Sequence, residues 1–172
     1  VQQVPGHPEA QERLLGLHSK TVDWPAYLDV AESQLKGLTG LDLRDPHAQL
    51  GQLAMEKPAI ADRAPTLLKA AVSGDQPSVP PLETLRLLAR EQGDWEQLIA
   101  LTETQSEVVG EVVDKVALLV DAARVRLDKL LDRSGAAKLF SRVRELDPDC
   151  NDALAFFVDY LFDNESWDEA LI

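Results

Sequence analysis

Cysteine and histidine, which most often bind metals or attack substrates, are scarce in this chain of 172 residues. The single cysteine, Cys150, excludes an intramolecular disulfide and any zinc site built from several cysteines. The three histidines, His7, His18 and His47, include no pair at a metal-ligand spacing such as i, i+4. No glycine-rich phosphate loop, G-x-S-x-G nucleophile or H-E-x-x-H sequence is present. We therefore expect no metal site, no cofactor and no enzymatic activity.

Positive charge is also scarce. Lysine and arginine number 17 against 30 acidic residues, a net charge of -13. Nucleic acids and anionic membranes attract proteins that carry a positive field, so neither is expected as the main partner. The longest apolar runs, such as residues 116–120, fall far short of the roughly 18 residues of a membrane span, so we expect no membrane insertion. The first residues show no signal-peptide pattern, and we expect a cytoplasmic protein.

The apolar residues recur at helical spacing, and strand signals are nearly absent. The predicted helices cover residues 8–19, 24–38, 45–56, 58–72, 82–92, 95–104, 107–132, 134–146 and 149–163, with another from Ser166 onward. Asp23, Asp45 and Asp94 are the expected N-caps of three of them, and Pro65 is expected to kink or split a fourth. The prediction is an all-α protein of about ten helices.

Two segments set the expected organisation along the chain. Residues 73–81 contain three prolines within five positions and are predicted to be a linker loop. Residues 107–132 carry one apolar stripe and are predicted to form a single helix roughly 36 Å long. Residues 82–172 are therefore expected to hold helical repeats. Residues 1–72 are expected to be either divergent repeats of the same kind or a separate small helical module.

An internal repeat is visible in the tryptophans. Trp24, Trp95 and Trp167 lie 71 and 72 residues apart, and each begins a predicted helix. Toward the end of the chain, Ala136, Phe140 and Pro148 reproduce the A-x3-F…P spacing of a tetratricopeptide repeat. The chain therefore resembles the tetratricopeptide-repeat superfamily, most clearly over residues 134–172. The resemblance implies a right-handed α-solenoid of antiparallel helical hairpins that binds a protein or peptide partner.

The resemblance also implies candidate binding residues, because members of the superfamily bind peptides on the concave surface through first-helix side chains. Arg124 and Arg126 are the candidates of this kind, and they belong to a basic stretch that would suit an acidic partner. The same charges are also explained as a solvated face that complements helix dipoles. Phe156 and Tyr160 belong to an aromatic cluster that forms either the stacking face for the next repeat or a partner groove.

Two other functions remain open at this point. The chain starts without Met, and residues 167–172 resemble an unfinished helix, so we expect a piece of a longer protein with adjoining repeats. The main hypothesis is a non-catalytic scaffold for protein–protein interaction. The alternatives are a regulatory helical module that senses a small ligand and a helical accessory region of a larger enzyme.

Overall fold

All regular elements that the computed structural model describes, within residues 23–37, 43–73 and 77–163, are helical. The α-helices are α1 (Trp24–Gly37), α2 (Arg44–Glu56), α3 (Ala64–Ala71), α4 (Val79–Gln92), α5 (Trp95–Val108), α6 (Val112–Leu130), α7 (Arg133–Leu146) and α8 (Asn151–Asp163), and a 3-10 helix covers Pro58–Arg63. These ranges confirm the all-α prediction for the described part of the chain. The predicted helices at 8–19 and from Ser166 lie outside the described residues, so the count of about ten stays a prediction.

Two of the three tryptophans begin helices as predicted. Trp24 is the first residue of α1 and Trp95 is the first residue of α5. The Asp94 carboxylate accepts a hydrogen bond of 3.1 Å from the backbone N–H of Gln97, and Asp23 accepts one of 3.2 Å from an amide of the first turn of α1. Both aspartates thus satisfy an amide that has no acceptor within the helix. Trp167 lies outside the described residues.

Several of the described prolines lie at helix starts. The predicted helix 58–72 is divided into a 3-10 helix and α3, and Pro65 lies in the first turn of α3. Pro80 and Pro81 lie in the first turn of α4, so that helix includes the last three residues of the predicted 73–81 linker. First-turn amides have no intrahelical acceptor, and proline therefore costs little there. Asp45 also lies inside a first turn, so the prediction that it caps α2 is wrong.

The long helix predicted over residues 107–132 is two helices. α5 continues to Val108 and α6 begins at Val112. Between them Val109 is extended, with φ -69° and ψ 141°, and Gly110 follows it. Glycine and an extended residue favour a break in the helix, although the apolar periodicity continues across it. α6 therefore spans about 28 Å, which is shorter than predicted.

The chain forms two compact units, which divide between Pro81 and Leu82. In the first unit α2 packs on α3, and both α1 and α2 contact the 3-10 helix. Gly51 of α2 lies against the side chain of Leu68 of α3, at a distance that leaves no room for a Cβ. The buried core of this unit contains Leu28, Ala54, Ile60, Ala64 and Leu67.

In the second unit, α5 packs on α6, α6 on α7 and α7 on α8. Each pair is joined by a short connection, so consecutive helices form antiparallel hairpins. The core they share consists of Ile99, Leu119, Val120, Ala122, Ala123, Ala136, Leu139, Phe140, Val143, Ala153 and Phe156. Four of these residues are alanines, which allow helices to approach closely.

Candidate partner-binding surface

Ion pairs in the second unit join helices that are not consecutive along the chain. Arg86 and Arg90 of α4 donate to the Asp121 carboxylate of α6 at 2.8 and 3.1 Å. Arg124 of α6 donates to Asp152 of α8 at 2.6 Å. These contacts bring the side chains of α4, α6 and α8 onto one surface. We call this surface, defined by the five residues of the ion pairs, the α4–α6–α8 face.

A second set of ion pairs joins α5 to α7. Arg142 of α7 lies 3.4 Å from a carboxylate oxygen of Glu103 and 3.9 Å from one of Glu107, both on α5. Glu103 also lies 3.8 Å from Arg126 of α6. Side chains of the second unit therefore connect alternate helices twice, once through α4, α6 and α8 and once through α5 and α7.

The structure does not bring the two predicted binding arginines together. Arg124 is exposed and points toward Asp152 on α8. Arg126 is half-buried, faces α5, and donates from Nη1 to Asp132 at 2.9 Å. Its Nε is buried and has no hydrogen-bond partner. Of the two candidates, Arg124 is the one on the α4–α6–α8 face.

Asp132 has an altered acidity because of its position at the α6–α7 turn. Its carboxylate caps α7 by accepting a hydrogen bond of 2.8 Å from the backbone N–H of Gly135. This hydrogen bond, together with the neighbouring Arg126 guanidinium, lowers the pKa of Asp132 below its usual range. A Cβ at position 135 would collide with the Asp132 carboxylate in its present conformation.

The predicted aromatic residues belong mainly to the core. Phe156 is buried, and its ring stacks on Phe140 on one side and Tyr160 on the other, with centroid distances of 4.7 and 5.4 Å. Tyr160 is half-buried, and the Arg133 guanidinium lies 6.0 Å from the centre of its ring. Tyr160 is therefore the member of the predicted pair that reaches the surface.

The sequence did not reveal a polar network around Arg86. Its guanidinium donates from Nε to Thr102 Oγ1 at 2.8 Å, from Nη1 to Gln105 Oε1 at 2.9 Å and from Nη2 to Asp121 at 2.8 Å. Thr102 and Gln105 are buried, and only 17% of the Arg86 side chain is exposed. The available signal was the position of Thr102 and Gln105 four and seven residues after the buried Leu98, on the apolar stripe of α5.

An open cleft of about 280 Å³ adjoins this network along α4. It is lined by Glu83, Arg86, Leu87 and Arg90, and Leu87 is 60% exposed. Two further clefts are present: one of about 320 Å³ lies where the end of α5 meets α6 and α7, and one of about 390 Å³ lies along α5. The cleft beside Arg86 thus places an exposed apolar side chain next to two arginines.

Neither metal ligands nor a membrane span is found in the part of the chain that the structure describes. No three histidine, cysteine, aspartate or glutamate side chains there gather at metal-binding distance. None of the helices there has the length and apolar content needed to cross a membrane. No protein-family model matches the chain, and comparison with curated protein sequences gives no significant match, so the resemblance to tetratricopeptide repeats stays a prediction.

Proposed function

We propose that this chain is a non-catalytic, helical-repeat scaffold that binds a protein or peptide partner on the α4–α6–α8 face. The observation that carries the proposal is the pairing of alternate helices. Arg86 and Arg90 connect α4 to α6, Arg124 connects α6 to α8, and Arg142 connects α5 to α7.

Such pairing agrees with a stack of helical hairpins. In a stack, each hairpin contributes one helix to each of two layers, so a helix contacts the next but one along the chain. The first layer would contain α4, α6 and α8, and the second would contain α5 and α7. A single hairpin cannot bury its apolar side alone, and stacking therefore produces both a continuous core and a long binding surface.

The surroundings of two tryptophans support an internal repeat. The Lys57 ammonium lies 5.0 Å from the ring centre of Trp24, and the Lys129 ammonium lies 5.2 Å from that of Trp95. Each lysine follows its tryptophan by nearly the same number of residues, 33 in the first case and 34 in the second. The same cation–π contact at a repeat-length spacing favours two related helical units.

The small residues at the helix contacts also favour stacking. Ala136 and Ala153 are fully buried in α7 and α8, and Phe140 is buried one turn after Ala136. Close approach at an alanine beside a large aromatic ring is the arrangement that the A-x3-F spacing implies for the superfamily. We extend the proposal to a right-handed solenoid that continues in adjoining repeats of a longer cytoplasmic protein.

Site-specific photo-crosslinking tests the binding surface directly. A photoreactive amino acid replaces Ala117 or Ala155, which are exposed and share a helix side with Asp121 and Asp152 respectively. The matched control places it at Ala100, an exposed alanine on α5. The protein is irradiated in native lysate, and the crosslinked products are identified by mass spectrometry.

We expect the same protein to be crosslinked from Ala117 and from Ala155, and not from Ala100. Equal crosslinking from all three positions would mean non-specific adhesion. No product from either face position would contradict the proposal, as would a product formed from Ala100 alone.

A further inference from the structure

We infer that Arg86 and Arg90 form a recognition site for one carboxylate of an acidic partner segment, and that Asp121 fills this site while no partner is bound. The inference rests on the proposed function, because it names the chemistry of the partner on the α4–α6–α8 face. It starts from the convergence of two arginines, one turn apart on α4, on a single carboxylate of α6.

The direction of the Arg86 side chain does not depend on Asp121. Its Nε and Nη1 are held by Thr102 and Gln105, which are buried and belong to α5. The remaining Nη2 therefore stays aimed at the carboxylate position even if Asp121 moves away. A guanidinium fixed in this way has already lost the side-chain entropy that binding a new carboxylate would otherwise cost.

Asp121 is replaceable because its own contacts are partly solvated. Its side chain is 38% exposed, and that of Arg90 is 50% exposed. Exposed ion pairs contribute about 1 kcal/mol or less, so water and a competing carboxylate can compensate for their loss. Arg86 is different, because a mostly buried guanidinium without a counter-charge is unfavourable. A partner carboxylate is thus favoured beside Arg86 once the Asp121 carboxylate moves away.

The cleft beside the two arginines has room for a partner side chain. Glu83 also lines the cleft and holds one negative charge, so Arg86 and Arg90 outweigh it once Asp121 moves away. Leu87, exposed between the two arginines on α4, offers an apolar contact in the same cleft. The geometry favours a segment that carries an acidic residue next to an apolar one.

NMR of the arginine Nε–Hε groups tests the site in solution. The Asp121→Asn variant keeps the size of the side chain and removes the internal carboxylate. Wild type and variant are titrated with an acetylated tetraglutamate peptide, with a tetraglutamine peptide as a control and with inorganic phosphate as a free anion. The double variant Arg86→Gln/Arg90→Gln identifies the signals that belong to the site.

We expect tetraglutamate to shift the Arg86 and Arg90 signals of Asp121→Asn saturably, with an affinity about tenfold higher than for wild type. That ratio corresponds to a site that Asp121 occupies about 90% of the time. The ligand binds only the open form, so its apparent affinity is the intrinsic affinity multiplied by the open fraction, about one tenth. Tetraglutamine is expected to cause no shift.

Three results would overturn the inference: equal affinities in wild type and Asp121→Asn, a saturable response to phosphate but not to tetraglutamate, or no saturable shift at all. If Asp121→Asn fails to fold, wild type is titrated to a higher tetraglutamate concentration instead. The absence of shifts at both arginines would then contradict the inference. These failures are separate from failure of the proposed function. Crosslinking from Ala117 and Ala155 uses the wild-type arginines and does not depend on a carboxylate ligand.

Discussion

Arg86 of α4 donates a hydrogen bond of 2.8 Å to Thr102 of α5, which is only 1% exposed. The bond lies in the second unit, and it joins the polar network to the buried side of α5. Thr102 in turn donates to the backbone carbonyl of Leu98 at 2.7 Å, so its hydroxyl has both an acceptor and a donor. Arg86 therefore satisfies a hydroxyl that would otherwise be buried with one hydrogen bond missing.

Replacing Arg86 tests how much this network contributes to the free energy of unfolding. We expect Arg86→Ala to lower the free energy of unfolding by about 2 to 3 kcal/mol, because it leaves Thr102 and Gln105 without a donor and Asp121 without its closest cation. The control Arg90→Ala removes an exposed arginine from the same helix and should cost about 1 kcal/mol or less. Urea denaturation measures both variants. Equal losses of unfolding free energy would contradict the prediction that the mostly buried Arg86 contributes more than the exposed Arg90.

The contact between Gly51 and Leu68 predicts a steric effect in the first unit. A Cβ at position 51 would lie 2.7 Å from Leu68 Cγ, which is closer than packed carbon atoms tolerate. We expect Gly51→Ala to lower the free energy of unfolding by about 1 to 3 kcal/mol through overpacking. The control is Gly37→Ala at the end of α1, where no atom lies within 4 Å and the change should be neutral or stabilising. Thermal unfolding of the two variants would contradict the prediction if Gly51→Ala were the more stable.

Leu131 is a strained residue at the turn between α6 and α7. Its φ is 54°, in the left-handed region that favours glycine, and its side chain is 81% exposed. We expect Leu131→Gly to raise the free energy of unfolding by about 0.5 to 1 kcal/mol, because it relieves the backbone strain and removes little packing.

The matched opposite change is Gly93→Ala, at a φ of 70° between α4 and α5, which should lower the free energy of unfolding by about 1 kcal/mol. Chemical denaturation compares the two variants. A loss of stability in Leu131→Gly would show that the leucine side chain makes contacts worth more than the strain.

The lowered pKa of Asp132 predicts a pH-dependent contribution to stability. A carboxylate whose folded pKa lies below its unfolded pKa stabilises the protein above the unfolded value, and this stabilisation disappears as pH falls through the folded value. We expect wild type to exceed Asp132→Asn in unfolding free energy at neutral pH. The difference should shrink below about pH 4, where the unfolded carboxyl is protonated.

Urea denaturation at several pH values measures this difference. Asparagine can still accept the hydrogen bond from the Gly135 amide, so the comparison isolates the charge. A difference that stays constant from neutral to acidic pH would contradict the assignment.

The proposed binding surface was only partly predictable from the sequence. The pattern correctly predicted that Trp95 begins a helix and that Asp94 caps it, because capping depends on residues within one turn. The resemblance to tetratricopeptide repeats selected Arg124 and Arg126 together, as basic residues of one predicted first helix. The structure separates them, because two positions along a helix amount to about 200° of rotation and direct the two side chains to different neighbours.

The errors in the predicted helix bounds both occur at helix ends. Periodicity continues through Val109 and Gly110, yet the chain breaks there, since a stripe of apolar residues does not record the backbone conformation of each residue. The proline-rich composition predicts a loop at Pro80 and Pro81, although the first turn of a helix tolerates proline. Both errors concern helix ends, where local propensity is weak.

The sequence by itself determined the all-helical composition of the described residues, the starts of α1 and α5, and the apolar stripes that form the two cores. Those features follow from short-range spacing and capping. Only the tertiary structure decided that Arg86 meets Thr102 and Asp121, that Arg124 meets Asp152, and that Phe156 is buried between two aromatic rings. Except for the Phe156–Tyr160 pair, which lies within α8, these contacts join residues 16 or more positions apart. Which of them form depends on how helices pack, and helix packing is not encoded in any one segment.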